Sequence, residues 1–133
     1  MEYLFVYGTL MRKYINNPLS LLLEKNTKFV GEAFTYGKLF LVDYYPALIH
    51  NPVSENHKVF GEIVSFKSGS VFLNDIDEYE DFNPNNMSNS LYIRDLKNCF
   101  LLDNNKSFNC HTYIYNKKVD NLKFLNNGRF ILS

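Results

Sequence analysis

Val71-Phe72-Leu73-Asn74-Asp75-Ile76-Asp77-Glu78-Tyr79-Glu80-Asp81 reads as an amphipathic helix in a chain where strand signals otherwise dominate. At about 100° per residue, Phe72, Leu73, Ile76 and Tyr79 form one apolar arc, and Asp75, Asp77, Glu78 and Asp81 fall outside it. Glu80 falls inside the arc, between the directions of Leu73 and Ile76. An acid on a core-facing stripe loses solvation, so its charged form is disfavoured unless a partner compensates. Glu80 is therefore the candidate general acid/base of this chain. The plain alternative is a residue at a frayed helix end that reaches into water. Ser70 stands where a side-chain cap belongs, which predicts a helix over Ser70–Asp81.

Outward from that helix the chain reads as strands. Tyr3–Tyr7 is a first strand ending at Gly8. Pro18–Lys25 reads as a short helix with Asn17 as its cap and Pro18 in its first turn. Phe29–Val42, broken by Gly31 and Gly37, is two strands or one strongly bent strand. Tyr45–Ile49 and Lys58–Phe66 are further strands, and Asn83–Ser90 is a turn-rich surface loop. A long hairpin follows, Leu91–Asp103 and Lys106–Tyr115, and then a tail of weak periodicity.

If Asn104-Asn105 is a two-residue turn, the hairpin register sets Cys99 opposite Cys110, Arg94 opposite Tyr115 and Leu96 opposite Tyr113. Tyr92 joins that second face, which collects three tyrosines and an arginine. Arg94 can stabilise the sheet by an ion pair or a cation–π contact, keep a buried carboxylate ionised, or hold a substrate carboxylate. Facing cysteines suit a disulfide in an oxidising compartment, but nothing else signals export, and two reduced, packed thiols fit better.

Composition narrows the function classes. A chain of 133 residues is one domain (1–133) that can bury its own core, and 46% apolar with 17% aromatic residues marks it as folded. Fourteen basic and fourteen acidic residues balance, with no basic stripe, which argues against nucleic acid or an anionic membrane surface as partner. The apolar runs are too short to span a bilayer, and the start lacks a signal-peptide pattern, so a cytoplasmic protein is expected. His50, His57 and His111 show no ligand spacing for a metal.

The first strand ends in Tyr7-Gly8-Thr9-Leu10, where a glycine with positive φ would allow a tight turn that aims backbone N–H groups at one carboxylate or oxyanion. Taken in order, Phe5-Val6-Tyr7-Gly8-Thr9-Leu10, Tyr45-Pro46-Ala47-Leu48, Val59-Phe60-Gly61-Glu62, Ile76-Asp77-Glu78-Tyr79-Glu80, Tyr92-Ile93-Arg94 and Ile114-Tyr115 resemble the motifs of the γ-glutamylcyclotransferase-like (AIG2-like) family, which includes γ-glutamylamine cyclotransferases. The resemblance runs over nearly the whole chain. Ile76 replaces the family's usual leucine, a volume-conserving change. The Gly-Asp-Trp sequence near the family's C-terminus survives only as Gly128-Arg129-Phe130, and the chain has no tryptophan.

The resemblance implies an α+β fold, a small mixed domain around a closed or nearly closed β-sheet with its site at one end. It implies that Glu80 is the catalytic acid/base, that Tyr7, Gly8, Thr9 and Leu10 hold the substrate, and that Tyr92, Arg94 and Tyr115 line the cavity. The implied substrate is a small γ-glutamyl compound whose α-amine attacks its own γ-carbonyl, giving 5-oxoproline and a free amine without a metal or cofactor. A monomer or weak homodimer is expected. Two alternatives stay open: a catalytically silent member of the fold that binds a small metabolite or a partner protein, or hydrolysis or acyl transfer of a related amide.

Overall fold

The computed structural model describes residues 1–8, 10–12, 19–50 and 57–131. Five strands close into a mixed barrel in the order β1-β5-β2-β6-β7: β1 (Glu2–Val6), β5 (Lys58–Phe66), β2 (Thr27–Tyr36), β6 (Tyr92–Leu101) and β7 (Ser107–Tyr115). All neighbours are antiparallel except β1 and β7, which close the barrel in parallel at Leu4 and His111. A second sheet, in the order β4-β3-β8, contains β3 (Lys38–Val42), β4 (Tyr45–Ile49) and β8 (Lys123–Phe124). Two short helices, α1 (Ser20–Asn26) and α2 (Leu73–Tyr79), complete an α+β fold.

The period-2 alternation of β1 and β5 builds two cores. Leu4, Val6, Val64 and Phe66 point outward and pack with Leu23 of α1 and Leu73 and Ile76 of α2. Phe5, Tyr7, Val59 and Ile63 point the other way and meet Ala33, Cys99 and Cys110, so every barrel strand contributes to this interior cluster. Leu39 and Leu48 of the second sheet join it. So does Phe130, which carries the aperiodic tail into the core; Gly128 takes φ 68° there, and its carbonyl accepts the N–H of Phe60.

Several expectations need correction. The hairpin does not turn on two residues: Phe100 pairs with Ser107, and Leu102–Asn105 forms the turn, with Asn105 at φ 59°. Cys99 therefore faces Phe108, Arg94 faces Tyr113, Leu96 faces His111, and Tyr92 faces Tyr115. Because the slip is two residues, every side chain keeps its face. Cys99 and Cys110 remain neighbours inside the barrel, both fully buried and both free. Of the two readings of Phe29–Val42, the structure takes two strands, β2 and β3, separated at Gly37 and belonging to different sheets, with a bulge in β2 between Phe29 and Gly31.

Helix α1 begins at Ser20, two residues later than expected, and Asn17 and Pro18 lie outside the described residues. Helix α2 is shorter at both ends than Ser70–Asp81. Ser70 is not its cap: the Ser70 hydroxyl donates to the carbonyl of Lys67 at 2.6 Å, closing a separate turn that precedes the helix. At the far end the Asp81 N–H donates to the carbonyl of Glu78 and the Phe82 N–H to that of Asp77, with Asp81 left-handed at φ 55°. This is a Schellman ending, and Glu80 is its C-cap residue.

Candidate active site

A cavity of about 160 Å³ opens at the barrel end where β1 stops and β6 begins. Phe5, Val6, Tyr7 and Gly8 line it from β1 and the residues just after, joined by Leu10. Tyr45 and Pro46 enter from β4, Tyr79 and Glu80 from the end of α2, Leu91 from just before β6, Tyr92 from β6 and Tyr113 from β7. It thus joins Glu80 to four residues expected from the sequence, Tyr7, Gly8, Leu10 and Tyr92. Thr9 lies outside the described residues.

Glu80 keeps part of its surface, as a residue lining a cavity does, but protein surrounds it so closely that burial alone pushes its carboxyl up to about 7. Among the described residues no hydrogen bond reaches its carboxylate. The aromatic wall explains the desolvation. The Tyr7 hydroxyl donates to the carbonyl of Tyr113, and the Tyr92 hydroxyl to that of Pro46, so both phenols are anchored to backbone and surround the cavity with rings. Burial, reinforced by the neighbouring Glu80, raises the phenol pKa of both, which keeps them protonated.

Gly8 is needed for a different reason than positive φ, which among the described glycines only Gly69 and Gly128 adopt. A Cβ at Gly8 would come within 2.8 Å of Pro46 Cγ. Only a glycine lets the end of β1 approach β4 so closely. The Gly8 carbonyl then accepts the N–H of Met11 at 3.1 Å, folding the chain back beneath the cavity.

Two expected site residues do not line the cavity. Arg94 is committed to Asp77: Nε donates to Oδ1 at 2.8 Å and an Nη to Oδ2 at 3.1 Å. Of the roles open to Arg94, the structure selects the partner of a buried carboxylate, and that carboxylate belongs to Asp77. Tyr115 packs behind Tyr92, their ring centroids 5.5 Å apart, and takes part in the wall's support. Asp77 itself was placed on the outward side of α2, yet it is only 6% exposed, because the guanidinium and the Tyr113 hydroxyl compensate its charge. Tyr79, placed in the apolar arc, is 42% exposed at the cavity rim.

The sequence reading missed Tyr113 and Tyr45-Pro46 as site residues. Tyr113 lay within the tyrosine-rich hairpin face, and Tyr45-Pro46 within a recognised motif, so the signals existed without a geometry to join them. No group of three or more metal-ligating side chains forms among the described residues. Nor is any helix among them long and apolar enough to cross a membrane.

A family model, gamma-glutamyl cyclotransferase, AIG2-like, matches residues 4–131. Among solved structures, an AIG2-like protein of Mus musculus superposes with a TM-score of 0.73 at 23% identity, covering 98% of this chain and 88% of that one. The YtfP protein of Escherichia coli gives 0.63 at 22% identity, covering 97% and 96% of the two chains. An uncharacterised protein of Pyrococcus horikoshii gives 0.62 at 19% identity, covering 98% and 90%. These likenesses show a shared fold. No curated protein matches the chain in sequence. With the family model spanning nearly every residue of the barrel and the cavity, the chain belongs to the γ-glutamyl cyclotransferase, AIG2-like family.

Proposed function

We propose that the protein is an enzyme that closes the γ-glutamyl group of a small amide into 5-oxoproline, releasing the amine, with Glu80 as general acid/base. The observation that carries this reading is Glu80 itself, a carboxyl pushed up to about 7 by burial in the aromatic cavity beside Gly8.

The reaction needs a base before it needs anything else. The substrate's α-ammonium must lose a proton for its nitrogen to attack the γ-carbonyl. An α-amine near pKa 8 passing its proton to an ordinary glutamate near 4.3 is uphill by roughly 5 kcal/mol. With the acceptor at about 7, the step costs only about 1.4 kcal/mol. Nucleophile and electrophile belong to one molecule, so ring closure needs folding of the substrate rather than capture of a second reactant. The bond from the new ring nitrogen forms as the γ-carbonyl becomes an oxyanion. When the carbonyl reforms, the carbon–nitrogen bond to the leaving amine breaks, protonated Glu80 returns its proton to that amine, and the ring nitrogen gives up its second proton through the same carboxylate, so the amine departs as an ammonium ion. Gly8 and Leu10 line the cavity after β1, and backbone N–H groups there would bind the substrate's oxygens. Tyr7 and Tyr92 exclude water and give the chain folding the substrate an apolar surface to close against.

The test is a panel of γ-glutamyl amides, amines and peptides with product analysis. Release of 5-oxoproline supports ring closure, and free glutamate supports hydrolysis. Binding without turnover across the panel supports a catalytically silent metabolite-binding protein.

A further inference from the structure

Asp77 is a buried acid that the proposed chemistry leaves unused. It stands one helical turn before Glu80 on α2, a helix of only seven residues with no side-chain cap at its N-terminus and no basic residue in its last turn. Such a helix is marginal by itself, so its position must come from tertiary contacts. Asp77 supplies them. Its carboxylate takes two N–H bonds from Arg94, at 2.8 and 3.1 Å, and the Tyr113 hydroxyl at 2.7 Å. The Asp77 carbonyl also accepts the Phe82 N–H at 2.8 Å, which forms the helix ending that Glu80 caps.

The other side of this contact is equally constrained. The second Nη of Arg94 lies 3.1 Å from His111 Nδ1, and because a guanidinium only donates, Nδ1 accepts. His111 Nε2–H then donates to Glu2 Oε1 at 2.8 Å, which ties the guanidinium to the start of β1. Tyr113 lines the cavity, and its carbonyl accepts the Tyr7 hydroxyl, so one residue links the contact to the end of β1. We infer that Asp77, Arg94 and Tyr113 form a positioning clamp that holds the last turn of α2, and with it the Glu80 carboxyl, against the cavity.

The clamp acts by geometry. A bidentate pair fixes direction as well as distance, which a point charge does not. Loosening it lets the helix end swing and water reach the Glu80 carboxyl, so the acid loses both its aim and its desolvation. The catalytic consequence rests on Glu80 being the acid/base, whereas the positioning is measurable without substrate.

The experiment follows the Glu80 side-chain carboxyl by carbon-13 NMR across pH in the full chain, for wild type, Arg94→Gln, Arg94→Lys and Tyr113→Phe. Folding of each variant is verified by circular dichroism. The clamp predicts that the Glu80 midpoint falls by about one pH unit in Arg94→Gln, by less in Tyr113→Phe, and remains lowered in Arg94→Lys. Direct electrostatics predicts the opposite sign, since removing a nearby positive charge would raise the midpoint. An unchanged or raised midpoint in folded Arg94→Gln, or full recovery in Arg94→Lys, overturns the clamp. If Arg94→Gln does not fold, Tyr113→Phe decides: it loses one hydroxyl, and an unmoved midpoint there overturns the clamp as well. With a turned-over γ-glutamyl compound, Arg94→Gln should lower kcat by at least about tenfold with KM nearly constant, the signature of a misaimed acid/base. Full turnover by Glu80→Gln would defeat the acid/base reading while the NMR midpoints still judge the clamp.

Discussion

The N–H of Glu80 donates to the carbonyl of Ile76 at 2.9 Å, so the acid facing the cavity hangs from a turn whose first residue, Ile76, is fully buried. Glu78, two residues earlier, is exposed. Glu80→Gln preserves shape but cannot accept a proton, and turnover of a γ-glutamyl substrate should drop at least about a hundredfold. Glu78→Gln should leave the rate within about twofold, as expected of a surface change. Steady-state kinetics on both variants checks this, and equal losses would remove Glu80 from its role.

Stability should depend on pH in a direction unusual for a carboxylate. The unfolded chain loses the Glu80 proton near 4.5, whereas the folded protein keeps it until about 7. Between those values the folded state binds more protons, so this residue's contribution to stability falls as pH rises through the window. The full difference is on the order of 3 kcal/mol above pH 7. Glu80→Gln should therefore be more stable than wild type at pH 8 and nearly equal to it at pH 4. Urea unfolding at the two pH values measures it, and a gain of the same size at both would contradict the assignment.

The same titration sets the activity profile. If Glu80 must be ionised to take the ammonium proton, kcat/KM should rise with pH through a midpoint near 7. A flat profile from pH 6 to 8 would argue for another base.

Gly8→Ala places a methyl group within 2.8 Å of Pro46 Cγ. Overpacking of this kind costs roughly 1–3 kcal/mol, and it pushes the end of β1 away from β4. We expect a lowered melting temperature together with reduced turnover. Thermal denaturation beside kinetics tests the pairing of the two effects, since a passive surface glycine would show neither.

Two ion pairs offer an internal comparison. Arg94 and Asp77 are 22% and 8% exposed in their side chains, whereas Arg12, which pairs with Glu62 at 3.5 Å, is 59% exposed. Arg94→Leu leaves a buried carboxylate without its cation and should cost roughly 3–5 kcal/mol. Arg12→Leu should cost less than Arg94→Leu: Glu62 is only 12% exposed in its side chain, but the lost guanidinium is exposed and screened by water, and Glu62 keeps the Arg12 backbone N–H at 3.0 Å. Chemical denaturation of the two variants ranks them.

Local chemistry determined much of this protein from its sequence. Tyr45–Ile49 and Lys58–Phe66 read as strands from the sequence, with the bounds the structure has. The angular position of Glu80 agrees with the cavity wall it lines, although the same spacing put Asp77 on the water side and Tyr79 on the core side, the reverse of their exposure. What spacing could not reveal was compensation at a distance. Asp77 looked like a surface acid because its partners, Arg94 and Tyr113, are 17 and 36 residues away. The ends of α2 were misjudged for a related reason: Ser70 had a nearer carbonyl to bond, and the helix stops on a left-handed aspartate, Asp81, instead of the glycine that would have announced it. The hairpin slipped by two residues because Asn105 accepts a left-handed conformation and lengthens the turn. Gly8 and Pro46 became neighbours only when β1 and β4 met. A cavity is a relation between distant segments, and the barrel's closure, with Leu4 beside His111, brought those segments together.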